Sequence, residues 1–150
     1  MPGFGCLNLT MNPQSLIKRL SIIAAACGLG GMLHAQPDAA IERGRYLVEQ
    51  VAMCADCHSP RGEKGRFIAG KEYTGAPLGF APSVPMPAWA DTAPLIAGLP
   101  NYTSAQAVEF LMTGARPTGV PVRPPMPEYR MNQADAEAVV AYLKSIKPRF

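Results

Sequence analysis

Histidine is nearly absent from this chain, which holds only His34 and His58 in 150 residues. Cysteine is scarce as well, limited to Cys6, Cys27, Cys54 and Cys57. A structural zinc site needs about four converging Cys or His ligands, so two such poor supplies argue against one. Charge is thin, with 14 Lys and Arg against 11 Asp and Glu. There is no basic stripe of the kind that a nucleic-acid surface requires. No run after Leu33 is long and apolar enough to span a bilayer, which takes about 20 residues. Period-two alternation is missing too, so no strand is expected and no βαβ pattern frames a thioredoxin-like dithiol.

The N-terminus does carry a leader pattern. Lys18 and Arg19 precede an uncharged run from Leu20 to Leu33, and Leu33-His34-Ala35 ends on a small residue before Gln36. A basic n-region, an apolar h-region and a small-residue cut are the parts of a secretory signal peptide. The expectation is a signal peptide over 1–35, a domain over 36–150, and a periplasmic protein. Met11 is an alternative start that keeps the basic n-region compact. Ala24-Ala25-Ala26-Cys27-Gly28 also resembles a lipoprotein box and would put a lipid anchor on Cys27, although Ala stands three residues before the cysteine where Leu is usual. Removal of 1–35 leaves about 115 residues, enough for one small domain, with a net charge of about +1.

Within that domain Cys54, Cys57 and His58 are the only Cys and His residues. They form Cys54-Ala55-Asp56-Cys57-His58, the attachment motif of a c-type haem, in which two thiols add to the porphyrin vinyls and the imidazole ligates iron. A three-residue step on a helical turn puts both sulfurs on one side. One motif implies one covalent haem c. No second histidine survives to make a bis-histidine iron, so Met, Lys, the terminal amine, water or an empty position is left for the other face.

Three helices can be read. Asp38 can cap the first, whose apolar positions Ile41, Tyr46, Leu47, Val48, Val51 and Ala52 run up to Cys54. Thr103 and Gln106 make a capping box for the second, which meets Gly114 where a helix would stop. Asn132 and Asp135 resemble a box for the third, where Ala136, Val139, Val140, Leu143 and Ile146 keep helical spacing until Pro148.

Between Pro77 and Pro127 lie eleven prolines, counting both ends, a density that forbids long helices and central strands. The same stretch holds Phe80, Val84, Met86, Trp89, Leu95, Ile96 and Leu99. It reads as a stiff loop wrapped around the porphyrin rather than as a linker. Met53 is too close to the motif to reach the far face, and Met112 reads as helix core. Met86, Met126 and Met131 remain as ligand candidates.

The chain resembles the class I c-type cytochromes over nearly all of 36–150. Gly44-Arg45-Tyr46-Leu47-Val48 leading into the Cys54 motif is similar to their first helix. Pro124-Pro125-Met126-Pro127-Glu128-Tyr129 followed by Asp135 to Leu143 is similar to their methionine loop and last helix. The spacing of Gly44, Tyr46 and Leu47 before Cys54 is similar to cytochrome subunits of membrane-bound alcohol and sugar dehydrogenases. The resemblance implies an all-α cytochrome c fold of three to four short helices around one haem, with Met126 as the second iron ligand. It also implies that the first and last helices cross near Gly44 and Tyr142, and that a proline carbonyl, Pro77 or Pro94, accepts from His58. Trp89, Tyr73, Arg61 and Arg123 are candidates for the propionates.

The function expected is one-electron transfer between redox proteins, a dehydrogenase or an oxidase, with no substrate transformed by this chain alone. Two alternatives stand beside it: a cytochrome subunit built into a dehydrogenase complex, and a haem protein whose sixth position is open to peroxide or gas. The second is weakened by the lack of a distal histidine to act as acid or base.

Overall fold

A computed structural model of the chain describes residues 37–150. The signal peptide expected over 1–35, and with it Cys27 and His34, lies outside the described residues. Helix α1 spans Pro37–Tyr46 and runs into a π-helical turn at Leu47–Val51, followed by the short α2 at Ala55–His58. A 3-10 turn at Glu63–Gly65, strands β1 at Ala76–Pro77 and β2 at Thr92–Ala93, helix α3 at Ser104–Thr113 and helix α4 at Gln133–Ser145 complete the domain. No helix among the described residues is long and apolar enough to cross a membrane.

The caps account for where α3 and α4 begin. The Thr103 hydroxyl accepts from the Gln106 N–H while the Gln106 side chain accepts from the Thr103 N–H, so two helix-end donors are satisfied reciprocally. The Asn132 side chain accepts from the Asp135 N–H at 2.9 Å. Helix α3 stops at Gly114, whose φ of 76° continues the chain in the left-handed region.

The first helix departs from expectation in two ways. The described helix already includes Pro37, so Asp38 sits inside the first turn, where its charge meets the helix dipole instead of capping. Farther on, regular α-helix gives way to the π turn, which carries both Leu47 and Val48 into the core at 6% and 0% exposure. Single π turns of this kind cluster at functional sites, and this one delivers the chain to Cys54.

Helices α1 and α4 cross at Gly44. A Cβ placed there would stand 1.9 Å from the Ala138 carbonyl oxygen and 2.8 Å from the Tyr142 Cβ, so only glycine lets the two backbones meet. Around the crossing the core collects Val48, Ala136, Val139, Val140 and Leu143, with Ala107 and Leu111 from α3.

Two strands form where none was expected. They pair antiparallel, Ala76 with Ala93 and Pro77 with Thr92. At two residues each they are too short to display a period. The Leu78 N–H then donates to the Asp91 carbonyl at 2.8 Å, so residues 79–89 form an arch between two joined legs. The arch corrects the wrapped-loop expectation in part. Leu95, Ile96 and Leu99 do turn inward, but Phe80, Val84 and Met86 are 52%, 60% and 40% exposed. Prolines 82, 85 and 87 deny the arch a hydrogen-bonded ladder that could fold it back over the domain.

Candidate haem site

The short helix α2 and Cys54 at its N-cap present Cys54, Cys57 and His58 to one cavity of about 470 Å3. That lies within the range of cofactor sites, about 300 to 1,000 Å3. Its wall is predominantly apolar, with Ile96, Leu99 and Phe110 on one stretch and Val139, Val140 and Leu143 from α4 on another. Met126 and Met131 line the same cavity, and so do Arg116 and Arg123.

The imidazole is fixed before any ligand is considered. His58 is 6% exposed, and its Nδ1 donates to the Pro94 carbonyl at 2.7 Å. That bond sets the tautomer and leaves Nε2 with the lone pair a metal needs. Burial holds the ring below its ordinary pKa, partly opposed by the Pro94 carbonyl, which keeps the imidazole neutral. Of the two prolines considered from the sequence, Pro94 is the acceptor.

Gly75 makes this contact reachable, and sequence reasoning missed it. Its N–H donates to the His58 carbonyl at 2.8 Å. With φ at +90°, a Cβ would meet the Leu95 nitrogen at 2.9 Å and the Pro94 carbonyl carbon at 3.0 Å. The strap carrying Pro94 therefore lies against bare backbone. The only signal was a glycine in Thr74-Gly75-Ala76-Pro77, a composition typical of turns. Ser59, beside the imidazole and 2% exposed, accepts from the Tyr73 N–H at 2.9 Å and pins the same corner.

The Cys54 thiol is poorly suited to a redox dithiol. Cys54 and Cys57 are not bridged, and burial pushes the Cys54 thiol up to about 11. A thiol protonated at neutral pH is a weak exchanger. Among the described residues no three or more His, Cys, Asp and Glu side chains gather as a set that could hold a metal ion by themselves.

The three methionine candidates separate by position. Met86 lies exposed on the arch and takes no part in the cavity wall. Met131 is on the wall but packs against the core, and its N–H donates to the Leu111 carbonyl at 3.1 Å. Met126 lies on the wall, half-buried and outside that packed core. Met112 packs against the core as expected, and Met53, next to Cys54, touches the cavity only at its exposed margin.

The propionate candidates divide as well. Arg61 is turned elsewhere: it donates to Asp56 at 2.9 Å and to the Gly65 carbonyl at 2.8 Å, and lies over the Phe67 ring. Tyr73 is buried in the core, and the Trp89 ring meets Phe80 edge-on at 5.8 Å. Arg123 stays on the wall, joined there by Arg116, a residue with no local pattern to mark it.

The residues fit a covalent haem: two cysteines and an oriented neutral imidazole at an apolar cavity, with thioether sulfur available on its wall. Comparison with known proteins agrees. Residues 41–147 match the cytochrome c family. The chain is 31% identical over 116 residues to the fructose dehydrogenase cytochrome subunit of Gluconobacter japonicus, an alignment covering 69% of this chain and 21% of that protein. It is 29% identical over 116 residues to a diheme cytochrome c-type protein of Cereibacter sphaeroides, covering 70% of this chain and 35% of that one. The chain thus spans between about a fifth and a third of the curated relatives it matches. It belongs to the cytochrome c family, and that membership implies electron transfer by a covalent c-type haem.

Proposed function

We propose that this cytochrome c is a one-electron carrier holding a single haem, with Cys54 and Cys57 in thioether bonds, His58 on one face of the iron and Met126 on the other. The haem supplies the ferric/ferrous couple. The chain's own residues do the rest. His58 is aimed by Pro94, the apolar wall excludes water, and Met126 offers a soft neutral sulfur that favours the reduced metal and raises the potential. The observation that carries the reading is the convergence of both cysteines, the oriented imidazole and Met126 on one apolar cavity.

The proposed domain, 36–150, follows a signal peptide at 1–35 and works in the periplasm. Its partners are redox proteins, among which a sugar dehydrogenase is favoured by the relative from Gluconobacter japonicus. The same relative supports a second reading, a cytochrome module working inside a dehydrogenase complex. Reduction of the purified protein by a dehydrogenase added in trans would separate the two.

Covalent attachment is tested on denatured, acid-acetone-extracted protein, which should keep its haemochrome spectrum; a colourless protein rejects the reading. Met126→Ala should abolish the weak red sulfur-to-iron band of the ferric protein, admit carbon monoxide to the ferrous one and lower the potential. An unchanged band would reassign the ligand to Met131.

A further inference from the structure

Arg123 precedes Met126 by three residues, and its side chain reaches away from its own segment into the arch. Its Nε donates to the Ala88 carbonyl at 3.0 Å, and its Nη2 donates to the carbonyl of the next residue, Trp89. A return bond completes the link: the Ala90 N–H donates to the Pro124 carbonyl at 2.7 Å. Within the methionine loop the Met126 N–H donates to the Arg123 carbonyl at 3.2 Å, closing a turn with Arg123 at its base. The two segments so joined are irregular, each lying outside the helices and strands.

We infer that Arg123 is a positioning residue whose guanidinium fork clasps the arch to the methionine loop and so holds Met126 in place against displacement by outside ligands. The inference rests on the reading that Met126 ligates iron. A planar guanidinium suits the task because its donors lie in a fixed fork that can span consecutive carbonyls, whereas an ammonium carries the same charge without the fork. Arg123 is exposed, so its bonds are those of a surface tie and not of the core.

The test uses the holoprotein and two variants, Arg123→Ala and Arg123→Lys, titrated with imidazole in the ferric state and followed by loss of the sulfur-to-iron band. Both variants should bind imidazole about tenfold more tightly than the parent, the scale of one or two charged hydrogen bonds at a solvated site. Their far-UV spectra and haem content should be retained, because the side chain lies outside the core. An unchanged imidazole affinity in either variant overturns the proposal. Lysine restoring the parent affinity also overturns it, since the effect would then be one of charge. Met126→Ala run alongside keeps the two readings apart: if that variant keeps the band, it is the ligand assignment that has failed.

Discussion

The α1–α4 crossing and the arch with its flanking strap are held together by different physics. At the crossing, backbones touch at Gly44 and the neighbouring side chains are almost wholly buried, Val48 and Ala136 at 0% and Val139 at 2%. The strap has two-residue strands, and its arch carries exposed Phe80, Val84 and Met86. It is tied down by separate bonds, His58 to Pro94, Gly75 to His58, Arg123 to Ala88 and Trp89, and Ala90 to Pro124. The contrast teaches that one end of the domain supplies the frame and the other supplies the aim. Damage to the first should appear as lost stability, and damage to the second as an altered haem spectrum.

Four measurements would break or sharpen that division. Gly44→Ala should have the largest effect. A Cβ 1.9 Å from a carbonyl oxygen forces the helices apart, at a cost of about 3 kcal/mol or more, visible as a sharp fall in the denaturation midpoint. Gly75→Ala places a side chain at φ of +90° against the strap and should cost about 2 kcal/mol. Unlike the first, it should also perturb the Soret band by tilting the imidazole; a normal spectrum would mean that Gly75 does not set the Pro94 contact. Ser59→Ala leaves the buried Tyr73 N–H without its acceptor and should cost about 1 to 2 kcal/mol, with a Soret shift smaller than that of Gly75→Ala because the His58–Pro94 contact itself is kept. Thr103→Ala, at the start of α3, should cost about 1 kcal/mol and leave the spectrum untouched.

An alkaline titration adds a gentler probe of the frame. Burial, assisted by the Glu49 charge, raises Tyr73 to about 12. The fold therefore prefers the protonated phenol. That contribution is complete below the ordinary tyrosine value near pH 10 and is lost as the pH rises through about 12. Phenolate absorbance and unfolding should rise together over that window. Ionisation with the fold intact would place Tyr73 in water.

The frame was legible in the sequence because its signals are local. Thr103 with Gln106 and Asn132 with Asp135 each mark a helix start within four residues, and the apolar spacing of α4 follows directly. The π turn was not legible, since nothing in Leu47-Val48-Glu49-Gln50-Val51 distinguishes it from an α-helical turn. Most of what aims the site depends on distant partners. Pro94 lies 36 residues from His58 and Trp89 lies 34 from Arg123, and no local pattern pairs residues across such gaps. Met86 and Met126 both precede a proline, so their immediate contexts match. The family resemblance prefers Met126 from its place before the last helix, and the course of the chain separates the two in space, by sending residues 79–89 outward and returning the Met126 loop to the cavity, where the Tyr129 hydroxyl donates to the Ala52 carbonyl at 3.3 Å.

The bond from His58 to Pro94 carries one more consequence. A buried ring held at 2.7 Å by a backbone oxygen has nowhere to swing when the charge beyond its other nitrogen changes by one unit. Groups fixed in advance need not rearrange as charge moves. In the proposed carrier this fixed ring would lower the share of the reorganisation energy that comes from the protein around the iron.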